Sequence, residues 1–190
     1  YMTLLGADLV WVNRHFAGAA AGGYAGAVLL RRILSLLPGA AIVVMYPGVV
    51  RLVAAGRSPG RLIAATAAWI SLPTLLLTLA YALSGRALLR LSFGPEYTAA
   101  APLLGIFGLA MLGYGLASLW LNLFLATRPG PFVACLLAVA GLQLLLYARW
   151  HASLFQVAAV FTATGWLLAL AGLGLYLLWL RPTLTAGQRP

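Results

Sequence analysis

Two adjacent arginines, Arg31 and Arg32, constrain the chemistry of this chain more than any other residues. They interrupt an apolar stretch, and the 18 residues that follow, 33–50, carry no charge. A guanidinium at bilayer depth costs on the order of 2.5–3.5 kcal/mol on insertion scales, and it usually faces a protein interior or a water-filled cavity. Arg keeps its charge in apolar surroundings, and its planar fork binds oxyanions bidentately. Only two acids, Asp8 and Glu96, stand against twelve Arg, and there is no Lys, so the net charge is +10. Two buried Arg are not expected both to be neutralised from so small a supply, and a cavity lined by them favours an anionic cargo. Adjacent helical residues point about 100° apart. Arg31 therefore shares a face with Tyr24, Ser35 and Pro38, whereas Arg32 lies nearer Leu36 and Gly39. The alternative is that both snorkel to an interface or pair structurally.

Asp8 is the second candidate. It precedes Trp11, Asn13, Arg14 and His15 in the first apolar segment. An acid within a membrane is a default site for ion coupling or substrate contact; the alternative is a salt bridge to a nearby Arg. Asn122 and Gln143 are polar residues inside apolar segments, expected as hydrogen-bond partners between helices. Enzyme signatures are scarce. Asp8 and Glu96 lie 88 positions apart, one in a helix and one in a loop, which does not suit paired-carboxylate hydrolysis. Cys135, His15 and His151 are scattered, whereas a zinc site wants three or four ligands. Neither a phosphate-binding Gly-rich loop nor a nucleophile elbow is present. No catalytic residue, metal, cofactor or nucleic-acid partner is expected.

The elements that carry these residues follow from composition. Of 190 residues 64% are hydrophobic and 7% charged, against about 25% charged in an ordinary soluble domain. That excludes a soluble globular domain and a disordered chain. A single cysteine excludes a disulfide framework. The class is all-α integral membrane. A spanning helix needs about 20 apolar residues, and the charge-free runs are 33–50, 62–85, 97–127, 129–148 and 150–180. Continuous runs favour helices over the alternating strands of a barrel. The expected bundle, 1–182, has six segments: 1–13, 19–50, 62–85, 97–127, 131–148 and 152–180. The first is too short to span and reads as a cut helix, and no signal peptide is recognisable. Ser84–Tyr97 reads as the longest connection, and Thr183–Pro190 as a frayed cytoplasmic tail. Pro38, Pro47 and Pro73 predict kinks. Gly105, Gly108, Gly113, Gly115, Gly165 and Gly172 predict close helix packing. Six Arg (51, 57, 61, 128, 181 and 189) face one side and four (14, 86, 90 and 149) the other, which places the first group and the carboxyl terminus in the cytoplasm.

The order of landmarks resembles a known family. Asp8-Leu9-Val10-Trp11-Val12-Asn13-Arg14 precedes Gly22-Gly23-Tyr24-Ala25-Gly26-Ala27. Arg32-Ile33-Leu34, Leu37-Pro38 and Met45-Tyr46-Pro47 follow, then Phe93-Gly94-Pro95-Glu96-Tyr97 and Ala99-Ala100-Ala101-Pro102-Leu103-Leu104. This is similar to the carboxyl-terminal half of the oligosaccharide flippase and polysaccharide exporter family, within the multidrug/oligosaccharidyl-lipid/polysaccharide exporter superfamily. The resemblance implies two six-helix bundles around a central cavity with alternating access. This chain would supply helices seven to twelve, and an amino-terminal bundle would be the missing partner. It implies the bacterial inner membrane as location, membrane lipids as surroundings and a polyprenyl-diphosphate-linked glycan as cargo. Arg32 matches an Arg that follows the Tyr of that helix, and Asp8 an acid of the seventh helix; the doubled Arg and the lack of Lys depart from the pattern. On this reading Arg31 or Arg32 attracts the diphosphate, Arg14 and Tyr24 assist at the cavity mouth, and Asp8 couples movement to an ion gradient. Two rivals remain: a drug/cation antiporter of the same superfamily using Asp8, and a membrane glycan-ligase-type enzyme using Arg86, Arg90, Arg149 and His151. A structural membrane module is a further alternative.

Overall fold

The computed structural model describes residues 1–127 and 130–180, and among these it is wholly helical. Six α-helices follow in order: α1 (Met2–His15), α2 (Gly18–Ala54), α3 (Gly60–Ser92), α4 (Ala101–Thr127), α5 (Gly130–Arg149) and α6 (Leu154–Leu175). A 3₁₀ turn, Pro95–Ala100, leads into α4, and a single π turn, Tyr176–Leu180, extends α6. Five of the six are long and apolar enough to cross a membrane; α1, with 14 residues, is the exception. The expected tail 183–190 and Arg128 of the break before α5 lie outside the described residues, as do Arg181 and Arg189.

Local chemistry sets the ends. α2 stops in a Schellman motif: Gly56 takes φ +65°, its N–H donates to Val53 O, and Arg57 N–H donates to Leu52 O. α6 starts at Ser153, whose hydroxyl oxygen accepts from Gln156 N–H while the Gln156 side chain accepts from Ala152 N–H, a capping-box arrangement displaced by one residue. Pro38, Pro47 and Pro73 lie inside α2 and α3, which continue past them as helix.

One expectation needs correction. Ser84–Tyr97 is not a connection; α3 runs on to Ser92, and only Phe93 and Gly94 separate it from the 3₁₀ turn. Arg86 and Arg90 end the charge-free run, but Arg is a good helix former, so the helix outlasts the apolar segment.

α4 is the centre of the bundle. Of the 18 residues in its most apolar stretch 78% are buried, against 22% in the corresponding stretch of α5 and 28% in those of α2 and α3. It packs on α6, α3 and α2, whereas α1 packs less extensively, chiefly against α2, α5 and α6. Small residues make this possible. A Cβ on Gly113 would lie 2.9 Å from the Gly165 carbonyl carbon, so α4 and α6 meet backbone to backbone. Gly108 receives the Thr78 side chain from α3, and Gly172 receives Trp120. Gly115 gives room to Pro38 of α2.

Candidate functional site

The face of α2 that meets the bundle repeats every seven residues: Tyr24, Arg31, Pro38 and Met45 are all buried. That repeat carries a cation into the core, and α1 supplies the counter-charge. Asp8 is fully buried, with Arg31 Nη1 2.5 Å from its Oδ2 and Nη2 3.2 Å from its Oδ1. Tyr24 O–H donates to the same Oδ2 at 2.8 Å. Arg31 Nη2 also donates to Leu5 O at 2.8 Å, so one guanidinium holds both a carboxylate and a backbone carbonyl of α1. Its carbon lies 4.1 Å from the centre of the Phe161 ring and 4.9 Å from that of Phe107, cation–π contacts from α6 and α4. Arg31 is thus neutralised and enclosed. The pair is the salt bridge weighed as the alternative for Asp8.

A second network lies alongside. Gln143 of α5 is buried; its Nε2 donates to Leu4 O at 3.2 Å and to Tyr147 Oη at 2.9 Å. Tyr114 shares a hydrogen bond of 3.0 Å with Thr164 Oγ1 and reaches Gln143 Oε1 at 3.5 Å. Tyr1 O–H donates to Tyr114 O at 2.6 Å. Gln143 therefore bridges helices as expected. Asn122 does not: its Nδ2 donates to Ser118 O of its own helix. Tyr114, Tyr147 and Thr164 were not singled out from the sequence. The available signal was the four-residue spacing of Gln143 and Tyr147 on an otherwise apolar helix.

Arg32 differs from its neighbour in every respect. It is exposed, and its side chain has no hydrogen-bond or ion-pair partner among the described residues. Ser35 is exposed too, rather than buried with Arg31. A cavity of about 400 Å³ between α1 and α2 is bordered by Arg31, Arg32, Ser35 and Leu36. A cleft of about 620 Å³ between α1, α2 and α4 adds Tyr1, Tyr114, Ser118 and Asn122. Met2, Leu5, Ser35 and Met111 border both, so the first turn of α1 sits between the two spaces. Arg14 is exposed in the last turn of α1 and does not join the Asp8–Arg31–Tyr24 cluster.

The residues of the ligase reading are spread over the same end of the bundle. Arg86 and Arg90 lie on α3, whereas Arg149 and His151 flank the α5–α6 turn. His151 meets His15 with ring centres 4.7 Å apart, and Trp11 stacks on His15. Each His Nδ1 is bonded to the carbonyl four residues earlier, Trp11 O or Tyr147 O. Among the described residues no three His, Cys, Asp or Glu gather as a metal site.

No family model, no curated protein and no solved structure matches this chain.

Proposed function

We propose that the chain is a multi-pass helical membrane protein that moves an anionic, lipid-linked glycan across the bacterial inner membrane. The cargo class is a polyprenyl-diphosphate oligosaccharide or polysaccharide. The observation that carries this reading is Arg32, an exposed and unpaired cation near the middle of a 37-residue apolar helix, bordering a cavity. A cation at that depth needs water, protein or an anion beside it. Arg32 is the group that contacts the diphosphate; Ser35 borders the same rim, its hydroxyl donating to Arg32 O at 2.6 Å. A second helical bundle closes the cleft from the other side, and access alternates between the two faces.

Arg31 has a different role from the one its position suggests. Its charge is committed to Asp8, so it enters the cycle only when that pair opens. Opening the pair leaves the Arg31 fork available to the cargo and loosens its hold on α1. Asp8 then couples ion flow to movement, and Tyr24, bonded to Asp8, orients it. Arg14 stands at the end of α1 as an outer point of attraction. The antiporter reading needs a carboxylate free to hold a cation, and Asp8 already holds one. The arrangement favours the anionic cargo.

The test is glycan export in cells producing the full-length protein, measured beside the protein level in the membrane. Arg32→Glu is expected to lower export at least about ten-fold, the value of one charge-assisted hydrogen bond. Arg32→Lys is expected to keep a part of it. Wild-type export by the Glu variant, at equal protein level, overturns the reading.

A further inference from the structure

The last turns of α3 carry two more cations, on a part of the molecule that the transport cleft does not use. Arg86 and Arg90 are exposed and four residues apart, so they share one face of the helix. With Leu91 and Thr98 they border an open depression of about 880 Å³. No acid answers them: among the described residues the sole ion pair is Arg31–Asp8. Glu96 is near in sequence, but its carboxylate folds over Gly94, 3.0 Å from where a Cβ would sit. Gly94 has φ +112°, and that space is filled by the glutamate. Thr98 donates its hydroxyl proton to Pro95 O and has none to spare.

The same face continues toward the other end of α3 as a line of leucines. Leu72, Leu76, Leu79 and Leu83 are all exposed, by 64, 61, 56 and 78%. Their spacing of four, three and four residues, with three more to Arg86, keeps them on one side of the helix. The helix dipole accounts for a single cation near a C-terminus. It does not account for two unpaired ones on one face, over a depression, at the head of an apolar stripe.

We propose that this face of α3 binds an anionic phospholipid. Its phosphodiester sits between the Arg86 and Arg90 guanidinium groups, and an acyl chain lies along Leu83 and Leu79 toward Leu72. The charge pattern selects the lipid. A phosphocholine carries its own ammonium into a site with two cations and no acid, where that ammonium is repelled. A phosphatidylglycerol brings only negative charge.

The experiment counts lipids retained by the purified full chain in native mass spectrometry, with phosphatidylglycerol and phosphatidylcholine of identical chains offered in turn. A basic residue near a phosphate is worth roughly a five-fold gain, so two give a preference of about twenty-five-fold for phosphatidylglycerol. The R86Q/R90Q variant is expected to lose that preference, R86K/R90K to keep most of it, and R57Q/R61Q, at the opposite end of the bundle, to leave it unchanged. L79Q/L83Q is expected to weaken retention of the long-chain lipid but not of a dihexanoyl analogue. Equal retention of the two lipids, or a preference that survives R86Q/R90Q, overturns the proposal. Displacement of the lipid by millimolar inorganic phosphate also overturns it, because the site then reads a free anion.

Discussion

Where α1 meets α2, α4 and α5, side chains reach across from helix to helix. Arg31 and Tyr24 bond to Asp8, Gln143 to Leu4 O and Tyr1 to Tyr114 O, and on the far side of α2 Tyr81 of α3 bonds to Leu30 O. At the opposite end, around Met45, Ile70, Trp120 and Phe132, the polar side chains turn back on their own helices. Thr66 bonds to Leu62 O, Asn122 to Ser118 O and Thr127 to Leu123 O. What joins the helices there is aromatic and aliphatic contact: Phe124 stacks on Phe132 at 5.5 Å, and Trp120 on Tyr176 at 5.4 Å. In lipid, apolar surface alone gives little reason for one helix to choose another, because the acyl chains are as apolar as Leu. Packed rings supply adhesion; directional bonds supply register. The short α1 has the least packing and as many helix-to-helix hydrogen bonds as the far longer α2, so its rotation and depth are set by Asp8 and by the carbonyls of Leu4 and Leu5.

Breaking the ion pair should give the largest effect. Asp8→Ala leaves Arg31 buried without a partner, and removal of one member of a buried pair costs about 3–5 kcal/mol. The double change Asp8→Leu with Arg31→Met is expected to recover most of that loss, because it removes both charges. Thermal melting of the purified protein in detergent measures both; an Asp8→Ala protein that melts with the wild type erases the contrast between the two ends. Phe132→Ala, in the ring-packed end, is expected to cost roughly 3 kcal/mol through the cavity left beside Phe124. Its effect should add to that of Asp8→Ala within about 0.5 kcal/mol, since the two sites share no partner. A larger coupling would mean that the ends are not independent. Gln143→Leu is expected to cost about 1 kcal/mol, the typical value of hydrogen bonds between membrane helices. It should also speed hydrogen exchange in residues 2–15 more than in α6, which separates loss of register from general loosening.

Much of this was legible from charge gaps alone. The helices α4, α5 and α6 follow uncharged runs to within a few residues, because lipid demands continuous apolar helix and little else, whereas α2 carries Arg31 and Arg32 inside it. The gaps say nothing of where a helix ends in polar surroundings, and so α3 runs past Arg86 and Arg90. Periodicity placed Tyr24, Arg31 and Pro38 on one face, and the structure buries all three. It also set Arg32 apart from Arg31. What periodicity could not supply was the partner. Asp8 and Arg31 are 23 positions apart on different helices, and their meeting depends on how α1 is turned about its axis. That angle comes from Leu5 O, Leu4 O and the rings of Phe107 and Phe161, none of which has a sequence signature. Asn122 was misread for a related reason: a polar side chain in lipid can satisfy itself on the preceding turn and need no neighbour.

The touching backbones of Gly113 and Gly165 restrict how this bundle can change shape. No side chain separates α4 from α6 at that point, and Trp120 of α4 fills the notch at Gly172 of α6 further on, so the two helices are closely interlocked. A change in the width of the cleft would meet more resistance between these two than in the outer helices. Among these α1 is the natural moving part, fastened by a handful of hydrogen bonds and one ion pair, a latch rather than a weld.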